Sequence, residues 1–245
     1  MMIRGHEVAS LIGLHPHVPR DVTFSKVLAR KHGMYTRDLA SLAPRSYTVG
    51  DPPEYTAPGV QSVFFSIGGS SQAGADRPRK RLRRADEIER GIAMESVNLT
   101  HINARTEHRF VQTRREYKRE IATLPGVCLG GKIDGVGANR VPIELKSRTR
   151  KFGVAVYDAI QLHVYMYAMG AQRGYVGETL NGQCRLTLIP FDQRLWDRVC
   201  EALAKIKGQL ETSAPSIVEA AKRIARGEKQ QDDPQTVQKF LERPE

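Results

Sequence analysis

Glu144 and Lys146 stand two residues apart in Val141-Pro142-Ile143-Glu144-Leu145-Lys146, an apolar run that reads as a strand. The pleat turns both side chains to one face, while Leu145 points away and offers its carbonyl at the strand edge. Asp134 lies on the preceding apolar run, and the turn Gly137-Ala138-Asn139-Arg140 places Asn139 equidistant from 134 and 144. Centred there, the turn sets the two carboxylates directly opposite each other, with Cβ atoms about 4.5–5.5 Å apart. A one-residue slip would undo this. Two carboxylates and a carbonyl make a hard oxygen site of the kind Mg²⁺ or Mn²⁺ accepts. Like charges so close repel unless a cation stands between them, and Lys146 alone hardly neutralises two.

Three further residues can reach the same place. Glu95 interrupts the apolar stripe Ile88, Ile92, Leu99, Ile102 of a helix over 86–103, where a carboxylate is costly unless paired or coordinated. Gln161 and Tyr165, four apart on the apolar helix over 154–169, share one face of it. Each has a plainer reading. Glu-x-Lys on a strand is usually a solvated ion pair. Glu95 could pair with Arg90 or Arg105, and Gln161 and Tyr165 could be ordinary helix-interface residues.

In order, Gly91-x-x-x-Glu95, Gly131-Lys132-Ile133-Asp134-Gly135, Ile143-Glu144-Leu145-Lys146 and Gln161-x-x-x-Tyr165 resemble the motif set of PD-(D/E)XK nucleases. More narrowly they are similar to the RecB-type and lambda-exonuclease-like branch, including YqaJ-type viral recombinases. The segment Val8-Ala9-Ser10-Leu11-Ile12-Gly13-Leu14 before Pro16 resembles the opening of the YqaJ type. Two features depart from the pattern: Ile133 stands where proline is common, and the connection over 44–84 has no counterpart. The resemblance implies an α/β fold with a central mixed sheet flanked by helices, and metal-dependent hydrolysis of DNA phosphodiesters, exonucleolytic and acting from double-strand ends. The alternatives are an endonuclease of the same superfamily and a non-catalytic basic nucleic-acid binder. It implies one or two Mg²⁺ (or Mn²⁺) ions held by Glu95, Asp134, Glu144 and the Leu145 carbonyl. Lys146 would position or deprotonate water, Gln161 would orient water or a phosphate oxygen, and Tyr165 would pack or contact backbone. Arg148, Arg150 and Lys151 are candidate phosphate contacts, with Arg114 and Arg115 in a second patch that also includes Lys118 and Arg119.

The remaining elements must hold these residues in place. Helices are expected over 7–14, 21–32 (Asp21 as N-cap), 193–210 and 216–226. Strands are expected over 60–67, 109–124, 126–137 and 141–148, the last three forming an antiparallel meander. A hairpin over 175–190 turns at Asn181-Gly182. The chain divides into an N-terminal helical segment (1–43) packing on the core, a long connection with a basic run (44–84), a nuclease core (85–227) and a polar tail (228–245).

With 245 residues, 40% hydrophobic and 27% charged, the composition excludes fibrous repeats and wholesale disorder. Three cysteines exclude an iron–sulfur cluster. No apolar run spans a membrane and no secretory pattern opens the chain, which leads to an intracellular expectation. The net charge of +11 favours a polyanion, DNA first. A single-strand annealing or replication protein is a further conceivable partner, as is a homo-oligomer, given the ring-shaped trimers of the resembled branch. The run RPRKRLRR at 77–84 is open to three readings: a nuclear localisation signal, a DNA-tracking arm or a solvated lead-in to the helix. His15-Pro16-His17 lacks the carboxylate company of a metal site, and His163 differs in helical phase from Gln161 and Tyr165.

Overall fold

The computed structural model describes residues 1–15, 18–33, 53–66, 84–113, 115–148, 150–226 and 233–242. Most of the basic run, Arg114 and His17 lie outside these residues. A six-stranded mixed sheet forms the centre, in the order β2 (Gln61–Ser66), β9 (Gln183–Pro190), β8 (Arg173–Leu180), β7 (Pro142–Ser147), β6 (Gly135–Val136), β3 (Val111–Gln112). Its one parallel pair is β7 with β8, joined by helix α4 (Val156–Met169). A smaller sheet holds β1 (Met2–Arg4), β5 (Cys128–Lys132) and β4 (Glu116–Glu120) in the order β1-β5-β4. Helices cover both faces, as the sequence predicts. Among the described residues, no helix is long and apolar enough to cross a membrane.

Strand alternation decides which helix meets which face. Ile143, Leu145, Tyr175 and Leu186 point one way and bury against Leu99 and Ile102 of α3 (Arg84–Arg105). Glu144 and Val176, one residue out of phase, face α4. The main apolar core gathers α4, α1 (Gly5–Leu11), α2 (Arg20–Lys31), α5 (Gln193–Glu211) and α6 (Pro215–Arg226). Gly170 ends α4 at φ 69°, and Asn181-Gly182 turn the β8–β9 hairpin at φ 48° and 74°, both left-handed as a type I′ turn requires.

Four features depart from the sequence reading. The stretches 109–124 and 126–137 are not single strands: each is divided between the two sheets, β4 pairing with β5 while β3 and β6 continue beside β7. The reason lies at Ile133 and Asp134, where Ile133 is buried in the main core while Asp134 leaves the ladder. Strand β1, too short to carry a periodic signal, pairs in parallel with β5. Pro19 caps α2, with Asp21 in its first turn. The polar stretch from 228 contains a further helix, α7 (Asp233–Leu241), anchored by buried Val237 and Leu241 at roughly 1.5–3 kcal/mol each. Two apolar anchors in a polar segment escape a composition reading.

His163 is a structural residue: its Nδ1 lies 2.7 Å from the Ala159 carbonyl and its Nε2 accepts from the Asp192 amide at 3.0 Å. Tyr55 and Phe191 close over its ring. This arrangement suits the neutral imidazole with its proton on Nδ1, and burial pulls the pKa below the ordinary 6.5 despite the Ala159 carbonyl and the Asp192 carboxylate. The unfolded chain therefore binds this proton more readily, so the contribution of His163 to stability is full above pH 6.5 and falls as pH drops below it. The raised carboxyls of Glu144 and Asp134 act in the opposite sense over the same window and are common to wild type and variant, so the difference is the test: in urea denaturation the wild type should lose stability relative to His163→Phe between pH 7.5 and 5, and parallel pH profiles would contradict the assignment. A second test concerns Gly130, where a Cβ would lie only 2.0 Å from the Tyr117 carbonyl oxygen. Gly130→Ala should disrupt the β4–β5 pairing and cost at least about 1–3 kcal/mol in the same assay.

Candidate active site

The β6–β7 ladder pairs Gly135 with Ile143 and Val136 with Pro142, the register in which Asp134 falls opposite Glu144. Asn139 adopts φ 56° within the connecting 3-10 turn, where the sequence centres the hairpin. Because β6 stops at Gly135, the Leu145 amide has no strand partner on that side. Asp134 supplies one, its Oδ2 accepting from Leu145 N at 2.7 Å. A strand residue presents its N–H and C=O to the same side, so the Leu145 carbonyl also faces the gap that Asp134 occupies.

On the α4 face, the Lys146 ammonium is surrounded by acceptors: Glu144 Oε1 at 2.7 Å, Gln161 Oε1 at 3.3 Å and Asp158 Oδ1 at 3.4 Å. Gln161 Nε2 donates to Glu144 Oε1 at 2.8 Å and to the Tyr165 hydroxyl at 2.9 Å. The helix thus brings Gln161 and Tyr165 to the strand pair, as their spacing predicts. The Tyr165 ring lies in a slot that needs two glycines: a Cβ would come within 2.9 Å of it at Gly5 and within 3.1 Å at Gly131. Helix α1 and strand β5 therefore set the depth of the tyrosine.

Burial raises the Glu144 carboxyl to about 7, against the opposing pull of Lys146, and Asp134 to about 6, against the Leu145 N–H. Half-buried Glu95 is shifted upward by burial and then by the charge of Glu144. Burial lowers the Lys146 pKa, but the carboxylates of Glu144 and Asp158 outweigh it and the net shift is upward.

Sequence reasoning missed Asp158 and Glu178, although a lone carboxylate in an otherwise apolar helix or strand is a signal that could have found them. Glu178 is fully buried and accepts from Arg148 Nε at 2.7 Å, from Arg185 Nε at 2.6 Å and from the Gly153 amide at 3.0 Å. Asp158, also fully buried, accepts from Arg148 Nη2 at 2.7 Å. Arg148 is thereby committed inside the protein and does not present its guanidinium outward as a phosphate contact. Arg150, Lys151 and Arg115 are exposed, the last over the Tyr117 ring; Arg114 is outside the described residues.

The ledger of charge on this face is closed except at one point. Glu144, Asp158 and Glu178 are matched by Lys146, Arg148 and Arg185. Asp134 and Glu95 make no ion pair among the described residues, and the buried Glu144 Oε2 has no hydrogen-bond partner. Those oxygens suit a hard divalent cation, held by Asp134, Glu144 and the Leu145 carbonyl. Among the described residues, however, no three His, Cys, Asp or Glu side chains converge closely enough to form a ready cage. Glu95 is near enough to raise Asp134 by its charge, and as a ligand it would have to move closer.

No family model matches the chain, and no curated protein matches it in sequence. Solved structures do share its architecture. The alkaline exonuclease LHK-Exo from Laribacter hongkongensis is 13% identical, over 92% of this chain and 94% of that one, with a TM-score of 0.52. LHK-Exo in complex with dAMP gives 13% identity over 92% and 93%, with a TM-score of 0.53. At this identity the likeness is one of fold alone: the chain shares the overall architecture of LHK-Exo.

Proposed function

We propose that the chain is a metal-dependent deoxyribonuclease, an exonuclease that removes nucleotides from double-strand ends. The observation that carries this reading is the meeting of Asp134, the unpartnered Glu144 Oε2 and the triply coordinated Lys146 ammonium where β6 ends. Resemblance and fold likeness support the same assignment. Mg²⁺ or Mn²⁺, when bound, would polarise the scissile phosphate and acidify a water molecule.

The chain's own residues do the rest. Asp134, Glu144 and the Leu145 carbonyl hold the cation, with Glu95 able to close on it. Lys146 is surrounded by three acceptors, which favours its ammonium form over a base; it offsets negative charge developing on the phosphate. Gln161 fixes Glu144 Oε1 through its amide and holds the Tyr165 hydroxyl, so the carboxylate cannot rotate away. Asp158 steadies the ammonium from the helix side. Arg150, Lys151 and Arg115 contribute to attraction of the DNA backbone. We further propose a role in end processing during recombination, repair or replication of a virus or mobile element, with a single-strand annealing or replication protein as partner and a homo-oligomer as the assembled form. The basic run at 77–84 would then serve DNA tracking or nuclear import.

The test uses end-labelled linear and closed-circular duplex DNA with Mg²⁺ or with EDTA. Mg²⁺-dependent loss of the linear form alone is the expected result; cutting of the closed circle would redirect the reading to an endonuclease. Lys146→Ala and Glu144→Gln should each lower turnover by about 10²–10³-fold or more while DNA affinity in EDTA stays within about twofold. Salt-sensitive binding with no turnover in any metal would leave a basic binder. Calorimetric titration with Mn²⁺ should show binding to the wild type and loss of it in Asp134→Asn.

A further inference from the structure

Four side chains line up across neighbouring strands on the face that carries Glu144. The ladder sets Lys146 beside Glu178, Glu178 beside Arg185, and Arg185 beside Phe64. Cross-strand partners share a face, and strands lie about 4.8 Å apart, so Phe64 stands about 14 Å from Lys146 along this row. The inner members are covered, whereas Phe64, on edge strand β2, is 59% exposed. Phe152, in the loop between β7 and α4, meets it edge to face at 5.6 Å and 81°. Arg185 lies behind both rings, its guanidinium carbon 5.8 and 5.9 Å from their centres, and is itself held by Glu178 and Glu54. Arg150 and Lys151, immediately before Phe152, are exposed.

An exposed phenyl ring on an edge strand forgoes roughly 1.5–3 kcal/mol of burial and invites unwanted pairing. Here the ring is backed by a pinned arginine and flanked by two exposed cations. A flat apolar face beside cations matches one chemistry closely: a nucleobase stacked on the ring, with its neighbouring phosphates on the cations. The row also points straight back to the Lys146 ammonium.

We propose that Phe64 and Phe152 form a stacking platform for the bases of a single DNA strand that runs from the Asp134–Glu144–Lys146 site over the loop between β7 and α4, which covers Glu178 of β8. At about 3.4 Å per stacked step, the platform engages bases roughly four nucleotides from Lys146. This deepens the nuclease reading and rests on it for the direction of the strand. Arg150 and Lys151 hold the backbone of the same strand.

Binding is measured in EDTA, where hydrolysis is suppressed, by fluorescence anisotropy with two labelled probes of equal length, an oligo(dT) and an abasic tract carrying the same phosphates. Stacking is worth about 1–3 kcal/mol per base, so the wild type should prefer oligo(dT) by about 5- to 150-fold. Phe64→Ala should remove most of that preference and leave the abasic affinity unchanged, Phe64→Ala with Phe152→Ala should abolish it, and Phe64→Trp should keep it. The exposure of Phe64 makes the single variant safe for folding, and a thermal melt verifies it. Equal weakening on both probes, or none on either, overturns the platform. A concentration-dependent dimer lost in Phe64→Ala also overturns it and makes β2 an interface between copies. Base-dependent binding by a wild type that cuts no DNA in Mg²⁺ would leave the platform standing and defeat the nuclease reading. Cutting without base dependence would do the reverse.

Discussion

An ionised carboxylate away from water must be matched by positive charge or give up its charge, and this constraint organises the face of the central sheet beneath α4. Glu144, Asp158 and Glu178 are all buried there, and none could stay ionised alone. Lys146, Arg148 and Arg185 answer them one for one, forming a chain of ion pairs that runs from β7 through α4 to the β8–β9 hairpin. Removing any member would leave a buried charge unpaired, which is more damaging than the loss of an ordinary contact. The same balance singles out Asp134 and Glu95, which make no ion pair among the described residues. An excess of two negative charges beside a charge-balanced surface is where a divalent cation gains most.

Geometry at that point depends on where strands stop. β6 contributes only Gly135 and Val136, the chain joining the ladder just after Asp134, which frees the Leu145 amide for a carboxylate instead of a neighbouring backbone carbonyl. A longer β6 would have given a tidier sheet and no room at its end. The division of 109–124 and 126–137 between two sheets therefore serves the site, since the small sheet carries Gly131 to the Tyr165 ring while the large one keeps Glu144 in register.

Much of this was legible from residue types and spacing. The symmetry of 134 and 144 about Asn139 identified the register, and the four-residue step from Gln161 to Tyr165 put both on the helix face that meets it. The strand breaks were not legible, because neither Gln112-Thr113-Arg114-Arg115-Glu116 nor Lys132-Ile133-Asp134-Gly135 holds a proline, and the burial of Ile133 in the main core is a matter of tertiary packing. Arg148 looked like a phosphate contact from its place beyond the strand, and its true partners, Asp158 and Glu178, lie 10 and 30 residues away. Nor could helix α7 be seen, since Val237 and Leu241 are apolar anchors in a segment otherwise rich in charge.

Strand β1 has a consequence for biogenesis. Met2 pairs with Cys128 and Arg4 with Gly130, and the next residue, Gly5, supports the Tyr165 ring. During translation at about 5–20 residues per second, those first residues wait roughly 6–25 s before their β5 partner has even been synthesised. Until then β1 is an unpaired edge, and the pocket beside it has no floor. The slot around the Tyr165 ring, built from Gly5, Gly131 and α4, is thus completed only after synthesis has passed α4.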